Sequence, residues 1–162
     1  ILFSGISHTA AREAAADLAE HYDVAAELWS ATSYKKMREE AMAVERQHRL
    51  HPSREQQVPL VTELLRESAG PIIAVSDFMK AVPEQLNRFV PDGRPFVVLG
   101  TDGMGRSDTR EKLRRFFEID TGHVVVSVLS GLLEAGEIDA SVVEDAIGRY
   151  DIDPGAADPY VV

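Results

Sequence analysis

The densest group of residues able to do chemistry is Gly100-Thr101-Asp102-Gly103-Met104-Gly105-Arg106-Ser107, which follows the apolar run Pro95–Leu99 and precedes a helical pattern. A glycine-rich turn between a buried strand and a helix is where backbone N–H groups gather around a phosphate. Its spelling, GxxxxG-Arg-Ser, is one residue away from the phosphate-loop pattern GxxxxGK[ST]. Two residues oppose that chemistry. Arg106 stands where the pattern has a lysine, whose slender ammonium reaches the terminal phosphates, and a guanidinium is not its equivalent. Asp102 would set a carboxylate among groups meant to hold an anion. GxGxxG is also missed, because Asp108 takes the place of the third glycine after Gly103 and Gly105. The competing reading is a strand-to-helix turn whose glycines allow close backbone contact.

Glu45, His48 and His51 fall three residues apart and could offer oxygen and nitrogen ligands to zinc if one helix carried all three. His51 precedes Pro52, which turns the chain away, so a solvated helix end competes. His8 and His123 stand at expected helix starts, where capping or partial burial competes with general-base work, and His21 has only charged neighbours. Arg110, Lys112, Arg114 and Arg115 form one basic cluster, and Lys35, Lys36 and Arg38 another. Pairing with Glu111 and Glu118 at helical spacing would make the first a solvated face; left unpaired, it would be a patch for an anion or a partner. No nucleophile-elbow motif supports a Ser/His/Asp arrangement. The absence of cysteine removes disulfides, thiolate ligands and cysteine nucleophiles. The residues alone therefore predict no catalytic, cofactor-binding or metal-binding set in this chain.

The whole chain sets further limits. With 17 basic against 27 acidic side chains the formal charge is −10 and the pI about 4.9. Nucleic-acid binders gain affinity by neutralising phosphates and membrane-surface binders by meeting anionic lipids, so neither partner is expected outside a local basic patch. At 44% hydrophobic and 27% charged residues, the composition is that of an ordinary soluble globular domain. Its length suits one domain that buries roughly 70% of its unfolded surface. No apolar run approaches the roughly 18 to 20 residues of a membrane span, and cysteine-free usage suits the cytoplasm. Ile1-Leu2-Phe3-Ser4-Gly5 reads as a buried strand entered without Met, signal peptide or cap, which predicts a segment of a longer polypeptide.

The elements that must position these residues follow from periodicity. The opening strand leads into a helix from His8 to Tyr22, capped by Ser7, with Ala11, Ala14, Ala15, Leu18, Ala19 and Tyr22 on one face. Val24–Thr32 is a second strand, and Tyr34–Leu50 a surface helix with Met37, Ala41, Val44 and His48 inward. Val58–Arg66 makes another helix. Pro71–Ser76 and Pro95–Leu99 are short apolar runs bounded by turn residues, the pattern of strands buried on both faces, with a helix at Pro83–Phe89 between them. Asp108-x-x-Glu111 boxes a helix through Phe117, Asp120 caps one from Thr121 to Ala135 stopped by Gly136, and Ser141-x-x-Glu144 opens the last, ending near Tyr150. His123–Leu129 is apolar enough to be a strand instead. Short buried strands alternating with helices predict an α/β domain over residues 1–150, with a mainly parallel sheet covered on both faces and 151–162 as a tail.

Val97–Phe117, reading VVLGTDGMGRSDTREKLRRFF, resembles the C-terminal domain of the homodimeric pyruvate dehydrogenases, the thiamine-diphosphate-dependent decarboxylating components of 2-oxo acid dehydrogenase complexes. Trp29-Ser30-Ala31-Thr32-Ser33, Glu45-Arg46, Leu50-His51-Pro52, Ser76-Asp77-Phe78-Met79-Lys80 and Gly136-Glu137-Ile138-Asp139 resemble family segments in the same order, so nearly the whole chain is covered. The resemblance implies a transketolase C-terminal-like fold, a three-layer α/β/α sandwich whose sheet is mostly parallel with one reversed edge strand. It also implies a non-catalytic third domain. In the family, thiamine diphosphate and magnesium lie between two larger upstream domains, and none of their ligands maps onto this chain. The third domain stabilises a homodimer, supports the active-site entrance and can meet the acyltransferase component. On this resemblance Asp102, Gly103, Gly105, Arg106, Ser107, Asp108 and Arg110 are expected at an interface with neighbouring domains or a second subunit. Tyr34–Glu40 and Gln47-His48 depart from the family's pattern, which leaves the 2-oxo acid open. The competing reading is a free-standing anion- or nucleotide-binding or protein-interaction module built on Gly100–Ser107.

Overall fold

The strands are β1 (Leu2–Phe3), β2 (Trp29–Ser30), β3 (Ile72–Val75) and β4 (Phe96–Leu99), lying side by side in the order β2-β1-β3-β4. This is a computed structural model, and it describes residues 1–91 and 93–162. Leu2 stands opposite both Trp29 and Ala74, and Ile72 opposite Phe96. All three pairings are parallel, so the reversed edge strand is not found among the described residues.

The apolar run of β3 was expected to be buried on both faces, and every one of its residues is. Alternation along the strand divides them: Ile73 and Val75 join one core, Ile72 and Ala74 the other. The first core is closed by α1 (His8–Tyr22), α6 (Thr121–Glu134) and α7 (Ala140–Arg149); the second by α2 (Tyr34–Leu50), α3 (Leu60–Arg66) and α4 (Ala81–Glu84). The result is the three-layer α/β/α arrangement. The remaining α-helix, α5 (Arg110–Phe116), has no fully buried residue, with Leu113, Arg114 and Phe116 half-buried.

Alanines let α1 lie close to α6, but the buried stripe is Ala10, Ala11, Ala14 and Leu18, a slight rotation from the expected face that leaves Ala19 exposed. The second strand shrinks from the expected Val24–Thr32 to two residues, because Asp23 ends α1 in the left-handed region (φ 54°) and the chain reaches the sheet edge only at Trp29. The expected helix at Pro83–Phe89 is instead α4 and a separate 3-10 turn, Asn87–Phe89. Pro83 sits in the first turn of α4, where its missing N–H removes no helical hydrogen bond. The guanidinium of Arg94 donates to the carbonyls of Leu65, Ala69 and Gly70, satisfying acceptors left open where α3 ends.

The apolar stretch His123–Leu129 is helix, not strand. Asp120 accepts from the His123 N–H at 3.0 Å, and Gly136 (φ 76°) closes the other end with its N–H on the Leu133 carbonyl and that of Glu137 on Leu132. Gly122 and Gly131 fit α6 into place: a Cβ on the first would fall 2.8 Å from the Tyr150 Cβ, and on the second 2.4 Å from the Pro71 Cβ. The stretch Arg110–Glu134 is long and apolar enough to cross a membrane by length and composition alone. In the fold it is two helices, parted at Phe117–Asp120 with Glu118 in the left-handed region (φ 56°), and α6 lies in the core.

Of three expected caps, one makes no capping bond and two are displaced. Ser7 does precede α1, yet its hydroxyl caps nothing. The cap of α5 is Thr109, accepting from the Lys112 N–H, one residue beyond Asp108. The last helix begins after Asp139 rather than Ser141.

Candidate functional site

At the carboxyl end of β4, Gly100 is required by its neighbours: a Cβ there would lie 2.5 Å from the Phe78 carbonyl oxygen. The loop is then stitched to the segment that follows β3. The Thr101 N–H donates to the Phe78 carbonyl at 3.0 Å, the Thr101 hydroxyl to the Asp77 carbonyl at 3.1 Å, and the Lys80 N–H to the Asp102 carboxylate at 3.0 Å. Asp102 thus works as an anchor between two loops, which accounts for a carboxylate in a glycine-rich turn.

Gly103 adopts φ 100°, and a Cβ on it would fall 2.0 Å from the Pro159 carbonyl oxygen. The carboxyl-terminal tail is therefore seated on this glycine, with Pro159 itself buried. Gly103, Met104, Gly105 and Arg106 face Tyr160, Val161 and Val162 across a shallow groove of about 520 Å³. Met104, Tyr160 and Val161 are 74%, 70% and 72% exposed, an apolar cluster at the surface. Arg106 lays its guanidinium 4.4 Å from the centre of the Phe116 ring, the distance of a cation–π contact. Ser107 is exposed, and Asp108 accepts from the Thr109 N–H at 2.7 Å.

This geometry does not build a phosphate cradle. Ser107, Asp108 and Thr109 separate Arg106 from the start of α5 at Arg110, and Gly103 is covered by the tail. What the loop and the tail do build is a shallow groove with exposed apolar side chains on its walls.

The cations of α5 find partners other than the expected ones, or none. The expected partners Glu111 and Glu118 form no ion pairs with the α5 cations; Lys112 meets Asp108 at 3.8 Å and Arg115 meets Asp120 at 3.2 Å. Arg106, Arg110 and Arg114 have no acidic partner among the described residues. In the second cluster Lys35 and Lys36 both reach Glu39, at 3.6 and 3.2 Å, while Arg38 has no acidic partner among the described residues.

The remaining candidates do not converge. Glu45 pairs with Arg88 at 2.6 Å, His48 bonds the Gln57 carbonyl at 2.8 Å, and His51 forms the end of α2. His8 lies against the Gly5 carbonyl at 3.3 Å, and His21 meets the Tyr22 ring edge-on. The His123 ring is 2.7 Å from Asp120. Burial alone would raise the Asp120 carboxyl, but hydrogen bonds from His123 and the nearby Arg115 charge overcome it and hold it below the usual carboxylate range.

Sequence reasoning missed two features. One is the docking of the tail, whose only signal was a glycine at 103 far from a proline at 159. The other is a set of hydroxyls, those of Ser4, Ser7 and Tyr34, buried without a partner among the described residues at the carboxyl end of β1 and the start of α2. No sequence pattern marks these, because they depend on which groups the fold brings past them.

Comparison with known proteins agrees with this architecture. Residues 1–120 match the family described as transketolase-like TK C-terminal domain. A protein of Mycolicibacterium smegmatis named pyruvate dehydrogenase E1 component is 48% identical over 97% of this chain, and its namesake in Mycobacterium tuberculosis 47% identical over 98%. The Escherichia coli K12 protein of the same name is 40% identical over 98%. The chain spans only 17 to 18% of the length of these relatives. The parallel sheet, the helices on both its faces and the match over most of its residues make this chain a member of the transketolase-like C-terminal domain family.

Proposed function

We propose that this chain is the non-catalytic third domain of a thiamine-diphosphate-dependent pyruvate dehydrogenase subunit, supporting dimerisation and active-site architecture for oxidative decarboxylation. The observation that carries the reading is 48% identity across 97% of the chain to a protein named pyruvate dehydrogenase E1 component, of which it spans 17%. Thiamine diphosphate and magnesium belong, on this reading, to the remainder of the polypeptide. The loop does not fit a magnesium–diphosphate group: no three His, Asp or Glu side chains gather there among the described residues, and the glycine-rich turn is covered at Gly103 by the tail. The domain's part is contact, through Asp102, Gly103, Gly105, Arg106, Ser107, Asp108 and Arg110. Its partners are the upstream domains, a second subunit and the acyltransferase component, in the cytoplasm.

The test compares the full-length subunit with a version ending before Ile1. Pyruvate-dependent decarboxylation and sedimentation are followed with thiamine diphosphate and magnesium present. Loss of the dimer and of activity on truncation, with no turnover by the 162-residue chain alone, is the expected result. Turnover by the isolated chain, or an active dimer without it, overturns the reading.

A further inference from the structure

A cleft of about 560 Å³ opens at the amino end of the sheet, where Ile1 and Leu2 lie between the approach to β2 and the start of β3. Val24, Ala26, Val128 and Leu132 line it on the side of the first core, and Leu65 and Arg94 on the side of the second. The ladder does not stop at Leu2. The Ile1 nitrogen donates to the Glu27 carbonyl at 2.7 Å, and the Ile1 carbonyl accepts from the Trp29 N–H at 2.9 Å. Burial pushes that amino group down to about 6, so the position suits a peptide N–H better than a charge.

The hydrogen bonds of a parallel ladder repeat every two residues. Carried one repeat back, the β1–β2 pattern aims the Glu27 N–H at the carbonyl of the second residue before Ile1. On the other side the Ser4 N–H meets the Val75 carbonyl at 3.2 Å, with Leu2 opposite Ala74. The same step back aims the N–H of Ile73, a fully buried residue, at the carbonyl of the first residue before Ile1. A buried N–H without an acceptor is costly, so both edges of the cleft call for backbone.

We infer that in the full-length subunit the segment immediately before Ile1 extends β1 through this cleft by at least two residues, pairing with Glu27 on one side and Ile73 on the other. The inference rests on the reading of this chain, which spans 17 to 18% of its relatives, as the third domain of a longer polypeptide. Alternation assigns the side chains. Ile1 and Phe3 pack on the first core and Leu2 belongs to the second, so the second residue before Ile1 faces Val24, Val128 and Leu132 and is apolar, while the first faces Leu65 and Arg94. The upstream domains are then joined to a strand clamped inside the sheet, which fixes the direction in which they leave this domain.

The experiment is hydrogen exchange at single-amide resolution on the full-length subunit. Glu27 is exposed in this chain, and its amide is expected to exchange at least about a hundredfold more slowly than an unbonded one. Replacing the second residue before Ile1 by aspartate sets a carboxylate among apolar side chains and should speed that exchange at least about tenfold, whereas valine there should preserve the protection. Fast exchange at Glu27 in the unaltered subunit overturns the inference, whether or not the aspartate variant folds. Protection that survives the aspartate variant comes from elsewhere in the enzyme and overturns it too. A subunit that dimerises and decarboxylates pyruvate yet exchanges Glu27 freely refutes only this inference, and the reading of the domain stands on its own truncation test.

Discussion

Replacing Gly131 by alanine sets two well-measured effects against each other in α6. In an open helix interior the change is favourable, because alanine restricts the unfolded chain, by about 1 kcal/mol. Here the new methyl would lie 2.4 Å from the Cβ and 2.9 Å from the Cγ of Pro71, where carbon atoms prefer about 3.5–4.0 Å. Pro71 is a rigid ring that leads directly into β3, so it cannot turn aside. Relief requires α6 to back away from the sheet by about an ångström or more, loosening the core that Val124, Val128 and Leu132 share with β3. Overpacking of this kind costs roughly 1–3 kcal/mol and opening the neighbouring contacts adds to it, so the net expectation is a loss of about 1–2 kcal/mol. Gly148 is the internal control. It also lies in a helix, α7, and a Cβ there meets nothing within 4 Å, so Gly148→Ala should gain about 0.5 kcal/mol. Urea unfolding followed by circular dichroism reads both changes. With a slope near 2 kcal/mol per molar, the midpoint should fall by roughly 0.5–1 M for Gly131→Ala and rise slightly for Gly148→Ala. A midpoint that rises for both would refute the packing argument and leave propensity in charge.

Other perturbations test other parts of the fold. Asp120→Ala removes the cap of α6 and the partner of Arg115, and should lose about 1–2 kcal/mol at neutral pH by urea unfolding. The Asp120 carboxyl is depressed in the folded chain, so its contribution is present above the unfolded value near 3.9 and disappears as pH falls through the folded one. The gap to the variant should therefore close in acid. Glu118→Gly relieves a side chain held at φ 56° and should raise the thermal midpoint by about 2–4 °C, corresponding to about 1 kcal/mol. Tyr34→Phe deletes a buried hydroxyl without a partner among the described residues. Its stability should be equal or up to about 1 kcal/mol higher, and a clear loss would reveal a bound water on that oxygen.

How much was legible in the sequence depends on how local each decision is. The runs at Ile72–Val75 and Phe96–Leu99 declare strands because an unbroken apolar stretch between turn residues has few alternatives, but only the first is buried along its whole length. β4 is an edge strand, and Phe96, Val97 and Val98 are half-buried because no strand among the described residues covers its outer side. His123–Leu129 was ambiguous by its β-branched residues, and the Asp120 cap and the Gly136 stop decided it in favour of helix. The helix starts near Asp108 and Ser141 shifted by one or two residues, and Ser7 precedes α1 as expected but caps nothing, because a cap needs an extended backbone at its own position and tertiary packing sets that. The edge strand at Trp29 was overestimated because Leu28 and Trp29 look like core residues in sequence, while both are exposed. In the candidate site the glycine-rich loop stood out at once, but its meaning did not. Asp102 reads as a misplaced anion until Lys80 is seen beside it, and Gly103 reads as generic flexibility until Pro159 is. Both partners lie too far along the chain for spacing to connect them.

The central place of β1 has a kinetic consequence. Its two residues stand between β2 and β3, and Leu2 pairs with Ala74 on one side and Trp29 on the other. Bringing Leu2 to Ala74 closes a loop more than twice as long as the one to Trp29, at an added entropic cost of about 0.9 kcal/mol before any contact rewards it. The β3–β4 pair joins segments about as near in sequence as β1 and β2 and much nearer than β1 and β3, and it alone has four residues in register with both cores beneath it. That pair is the natural nucleus, and β1 is the keystone that drops in afterwards to connect it with the far edge. Leu2→Ala should then speed unfolding while leaving the folding rate nearly untouched in stopped-flow chevrons, the mark of a contact made after the barrier.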